Sequence, residues 1–267
     1  MNRLPTAPAV RESGTGTPLV LLHAFPLAAS MWSAQLDGLP GSGGGDARVL
    51  APDQRGFGGT GLGDDDPSLD LVADDVALLL DAAGIDRAVV GGLSMGGYVA
   101  LAFARRHPER LAGLLLADTK ATADTDAARA NRERIATVVL ARDSVRLLAD
   151  ERMEDSLLGP DSGHLAERVR GMIAESAPKA VAWAQRAMAA RGDTLDVLPG
   201  LAVPAAVVVG AQDRVTPLAE AELMAGALRD AELTVIPGAG HLSAIEAPGA
   251  FNAAVRALLA RVDGAAR

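Results

Sequence analysis

"AVVGGLSMGGYVALAFARRHPER", residues 88–110, is the stretch on which the fold turns. From Ala88 to Ala104 it carries no charge, yet it holds four glycines around a single serine, Ser94. Glycine packs nothing and costs backbone entropy, so such a cluster marks sharp turning or a close approach of backbone to backbone. The flanks say which. "RAVVGG" reads as a short buried strand and "YVALAFARRH" as a helix that begins at once. A serine between glycines at a strand-to-helix corner has the G-x-S-x-G pattern of a nucleophile elbow. With 29 glycines in the chain, chance alone supplies such a pentapeptide about once in ten chains of this kind, so the motif needs company.

Working outward, short apolar runs alternate with helical stretches. "PLVLLHAF" (18–25), "RVLAPD" (48–53), "LAGLLLAD" (111–118), "VPAAVVVG" (203–210) and "ELTVIPG" (232–238) join 87–92 as strands. Each is nearly continuous in apolar residues, as befits strands covered on both faces. "DLVADDVALLLDAAG" (70–84) is a helix that stops at Gly84. This alternation predicts an α/β protein, a mostly parallel twisted sheet with helices on both faces. Residues 120–197 break the rhythm, with helical patterns and no convincing strand. They predict a helical cap inserted into a core of 1–119 and 198–267. "GSGGGD" (41–46) reads as a solvated connection.

In such sheets ligands bind beyond the carboxyl ends of the strands, so the residues just after each strand matter most. Ser94 follows one strand, Asp213 another in "VVVGAQDRVTP", and His241 the last in "VIPGAGHLSAIE". Serine needs a base to take its proton as it attacks. Histidine titrates near neutrality and serves as that base, and an aspartate orients the imidazole and stabilises its cation. Asp118 competes with Asp213, since it too follows a strand. His23, His107 and His164 read as structural or exposed, and Asp53 as a loop brace. Trp183 and the methionines at 153, 172 and 188 are either pocket lining or helix core.

Composition narrows the field. A net charge of −9 disfavours nucleic acid and anionic membranes as partners. The chain has no cysteine, which removes disulfides, thiolate metal sites and a cysteine nucleophile. No run has the length and apolarity of a membrane span or a signal core, so a cytoplasmic location is expected. The scattered histidines give no metal-ligand spacing, and no dinucleotide fingerprint opens a helix after the first strand. Neither a metal nor a cofactor is expected.

Together "LLHAFP", "PDQRGFGGTG", "GGLSMGG", "GAQDRVTP" and "GAGHLSAIE" resemble the α/β-hydrolase superfamily over nearly the whole chain. The resemblance implies a Ser94–Asp213–His241 triad and an oxyanion hole from the backbone N–H groups of Phe25 and Met95. It implies a serine hydrolase acting on a small carboxylic ester or lactone through an acyl-enzyme. Some members place their acid at the position of Asp118. The family usually has His-Gly where this chain has His23-Ala24. Pro26 resembles the cofactor-free haloperoxidase or perhydrolase branch, an alternative chemistry for the same triad, and Pro26 and Trp183 are expected at the substrate pocket. Dehalogenases of this superfamily carry a carboxylate where this chain has Ser94. A catalytically silent ligand-binding module is the alternative from outside enzymology.

Overall fold

A computed structural model describes residues 8–41 and 46–265. The strands are β1 (Val10–Ser13), β2 (Thr17–Leu22), β3 (Ala47–Pro52), β4 (Ala88–Leu93), β5 (Leu111–Ala117), β6 (Ala205–Gly210) and β7 (Ala231–Ile236). They form one sheet in the order β1-β3-β2-β4-β5-β6-β7. β1 runs antiparallel to β3, and every other pairing is parallel. The helices are α1 (Ser33–Gly38), α2 (Leu69–Ala82), α3 (Met95–Arg106), α4 (Asp126–Arg142), α5 (Arg146–Asp150) and α6 (Met153–Leu157). They continue as α7 (Ala166–Ala174), α8 (Pro178–Ala190), α9 (Leu218–Ala227), α10 (Ser243–Glu246) and α11 (Pro248–Ala265).

The six expected strands lie within three residues of their apolar runs at either end. β4 and β6 are buried along their whole length, as central parallel strands require. β7 departs from that expectation: Leu233 and Val235 are exposed, because the strand lies at the sheet edge and only one face is covered. β1 is the strand that apolar patterning missed. Its VRES sequence carries two exposed side chains, and antiparallel pairing with β3 defines it. "GSGGGD" falls largely outside the described residues.

Between β5 and β6 the chain folds into α4–α8, with no strand among the described residues there. Thr125 caps α4 through its hydroxyl, which accepts from Ala128 N at 3.2 Å. Pro178 opens α8, where its missing N–H costs nothing. These helices meet the strand layer at the carboxyl ends of β2, β4 and β6, the end at which Ser94 emerges.

Candidate active site

The corner after β4 is built by close approach. Ser94 holds φ 56° and ψ −112°, a region costly for any residue with a side chain. Its N–H donates to Ala117 O at 3.0 Å, and its carbonyl accepts from Tyr98 N at 3.1 Å and Thr119 Oγ1 at 2.8 Å. A Cβ on Gly96 would stand 2.0 Å from Leu22 O, and one on Gly92 would stand 2.4 Å from the Gly96 carbonyl carbon. The glycines therefore let α3 sit directly on β2 and β4 while Ser94 lines the cavity beyond the corner. Met95 is the first residue of α3, and its N–H has no carbonyl four residues back to bond.

His241 and Asp213 lie together under the ends of β6 and β7. The His241 Nδ1–H donates to Asp213 Oδ2 at 2.8 Å, and both side chains are buried. Asp213 also accepts from Val215 N at 2.8 Å, Thr216 N at 3.0 Å and Thr216 Oγ1 at 2.7 Å. Burial alone raises a carboxyl pKa, but these donors and the imidazole outweigh it and leave Asp213 below its ordinary value. For His241 burial opposes the charged ring, and the Asp213 hydrogen bond and charge more than offset it, so its pKa is raised. With Nδ1 engaged, Nε2 is the ring's free proton acceptor. Thr216 is a site residue that sequence reading passed over, since threonine three residues after an aspartate looks like an ordinary turn.

Asp118 sits elsewhere in the network. It accepts from Gly210 N at 2.8 Å and from the Ser243 hydroxyl, and makes no bond to His241 among the described residues. Burial pushes its carboxyl up to about 8. His23 is buried between Ala24 O at 3.0 Å and Gln54 N at 2.9 Å, and burial holds its pKa down at about 4. Asp53 accepts from Ala29 N and Gly59 N, at 2.8 and 2.9 Å, bracing two loops.

Ser94, His241 and Phe25 line one cavity of about 250 Å³, with Tyr98 and Val215 beside them. The facing wall comes from α4, α6 and α8, through Ala128, Asn131, Arg132, Ile135, Leu157, Gln185 and Met188. Met153 and Met188 belong to this wall. Pro26 and Trp183, expected at the pocket, do not. Pro26 closes a cis bond after Phe25, and its carbonyl accepts from Ser176 Oγ at 2.5 Å. Trp183 lies two residues before Gln185, about 200° around α8, so its ring packs away from the cavity and Nε1 donates to Asp65 O at 2.9 Å. Among the described residues no group of three or more His, Asp or Glu gathers as a metal site. No described helix is long and apolar enough to cross a membrane.

A mostly parallel sheet, a serine at a strained corner after a central strand, and a buried Asp–His pair beside it define an α/β-hydrolase type of architecture. The family model for the alpha/beta hydrolase fold matches residues 17–248, and the chain belongs to that family. It is 31% identical over 220 residues to 3-oxoadipate enol-lactonase 2 of Acinetobacter baylyi, covering 80% of this chain and 79% of the relative. It is 32% identical to the pimeloyl-[acyl-carrier protein] methyl ester esterase of Aromatoleum aromaticum, over 86% of this chain and 93% of that one. Among solved structures, a thermophilic esterase from Thermogutta terrifontis, described with malate bound, superposes with a TM-score of 0.90. The two are 40% identical, over 95% of this chain and 93% of that one.

Proposed function

We propose that this protein is a serine hydrolase that cleaves a small carboxylic ester or lactone through an acyl-enzyme. The buried His241–Asp213 hydrogen bond, at 2.8 Å beside a cavity that Ser94 also lines, carries the reading. The Ser94 oxygen adds to the carbonyl carbon as His241 Nε2 takes its proton, and Asp213 stabilises the imidazolium. The oxyanion is received by the Phe25 and Met95 N–H groups. Collapse breaks the bond to the leaving alcohol, which takes the proton back from His241. Water then repeats the sequence on the acyl-enzyme and frees the acid. Residues 120–197 act as a cap over a core of 1–119 and 198–267, and its helices choose what enters. The esterase and lactonase named among the relatives perform reactions of this class.

A fluorophosphonate probe together with a panel of short nitrophenyl esters and lactones tests the reading. Ser94 should label stoichiometrically. Ser94→Ala should abolish labelling and lower turnover on the order of 10⁴- to 10⁶-fold with its melting temperature retained. Retention of more than about a tenth of parental activity in a pure sample defeats the assignment.

A further inference from the structure

We propose that the cavity takes a substrate carrying a carboxylate at its far end from the scissile bond, and that Arg132 is the residue that selects it. This rests on the hydrolase reading above and adds a substrate class to it.

Ala128, Asn131, Arg132 and Ile135 all line the cavity. Their spacing of three, four and seven places them on one face of α4, which is thus turned towards Ser94 and His241 from the opposite wall. Of the described lining residues, Arg132 is the one with a permanent charge, and no carboxylate is among them. Its charge is not cancelled locally. Asp124, whose side chain is 1% exposed, accepts from Arg132 Nε at 2.5 Å but also pairs with Arg191 at 2.9 Å and Lys120 at 3.3 Å. One carboxylate thus faces three cations. The remaining acids of α4 are engaged on its other faces, Glu133 with Arg186 and Asp126 with Arg129.

The guanidinium is also held in place. Nε is fixed by Asp124, and Nη1 by Gln185 Oε1 at 3.1 Å and Met188 Sδ at 3.3 Å, while Nη2 makes no hydrogen bond among the described residues. Gln185 and Met188 line the same cavity. A guanidinium held at Nε and Nη1, with Nη2 left to donate, is prepared for a carboxylate, since little side-chain freedom remains to be lost. The proposed oxyanion donors, Phe25 after β2 and Met95 at the start of α3, belong to the strand layer and Arg132 to α4, so Arg132 is placed to meet a group other than the reacting carbonyl. The chemistry that fits is the half-ester or lactone of a short dicarboxylic acid.

The test compares two substrates of one shape, monomethyl glutarate and its carboxamide analogue, by kcat/KM at pH 7.5. Charge-assisted hydrogen bonds predict a preference of about 10- to 100-fold for the carboxylate. Arg132→Gln should bring that ratio close to one. Arg132→Lys, which keeps the charge and loses the fixed placement of the donor, should fall between. A measurement that needs no variant accompanies this: glutarate should inhibit cleavage of the neutral ester competitively, at least about 10-fold more tightly than glutaramide. Because the readouts are ratios, general damage to the cap cancels. No preference in the parent protein, equal inhibition by the two competitors, or a ratio indifferent to Arg132→Gln overturns the proposal while leaving the hydrolase standing. Failure of Ser94 to label, with neither ester cleaved, removes the hydrolase reading and this proposal with it.

Discussion

His241 and the two aspartates near it show how much a residue's role depends on its donors. Asp213 is surrounded by three groups that favour the carboxylate besides the imidazole itself. Asp118 is equally buried but is pushed up to about 8, so at neutral pH it is mostly protonated. An amide is then a close substitute for Asp118 and a poor one for Asp213. Asp213→Asn should lower turnover by roughly 10³-fold or more, whereas Asp118→Asn should stay within about tenfold of the parent. The reverse ranking moves the acid to β5. Stability gives a second check on Asp118. Its folded pKa lies above the ordinary value of 3.8, so its contribution is fully present below about pH 4 and is lost as pH rises through about 8. Asparagine has no such loss. The melting temperature of Asp118→Asn relative to the parent should therefore climb between pH 5 and 8.5, by on the order of 5 °C. A constant difference shows that Asp118 is not protonated in the folded protein. Both aspartates could be found from their positions after strands. The family resemblance favoured Asp213, but the physical reason for that ranking lies in the contacts of Thr216 and Ser243, which no spacing announces.

At the scale of elements, β4, the corner and α3 were legible because one constraint governs all three. A helix resting on strand backbone admits no side chain at the contact. Gly96→Ala places a Cβ 2.0 Å from the Leu22 carbonyl oxygen, which is backbone and has nowhere to go. A loss of more than about 3 kcal/mol is expected, a fall in melting temperature of roughly 10 °C or an insoluble product. Gly171 on α7 is the contrasting case. It is exposed, and a Cβ there meets nothing within 4 Å. Gly171→Ala should gain about 0.5–1 kcal/mol from helix propensity. Equal effects at the two positions contradict the packing account. The edges of the sheet were less legible, since β1 has too few apolar side chains to declare itself. The cavity wall was illegible for a different reason. On α4 and α8 the faces packed against each other and the face turned to the cavity carry similar residues. Hydrophobic periodicity therefore does not tell Met188 at the cavity from Trp183 behind it.

For the whole molecule, the question is how α4–α8 are tied to the sheet. Beside the Trp183 bond to Asp65 O, several contacts bear on this. The outer ends of the segment meet at Asp124, which joins Lys120 after β5, Arg132 on α4 and Arg191 after α8. The α7–α8 junction holds the Phe25–Pro26 turn through Ser176. The end of α6 holds the loop of His241: Leu157 O accepts from His241 N at 2.9 Å and Leu242 N at 3.2 Å, and Glu246 bridges Gly159 N and Gly240 N. A segment secured this way carries part of the scaffold that positions His241. Asp124→Asn tests it. Removing the charge leaves three cations without their shared partner, which costs about 3–5 kcal/mol for a buried pair. If residues 120–197 are a unit of their own, amide exchange should rise first there, with 88–117 still protected, and esterase activity should fall in step with that opening. The acid limit follows from the same group. The Asp124 carboxyl is held at about 2, so its contribution is present above the ordinary value near 4 and lost as pH falls towards 2. The stability gap between parent and Asp124→Asn should accordingly narrow below pH 4. Uniform exchange across the whole chain, in a single melting transition, would show that the helices and the sheet unfold together and that no separable cap exists.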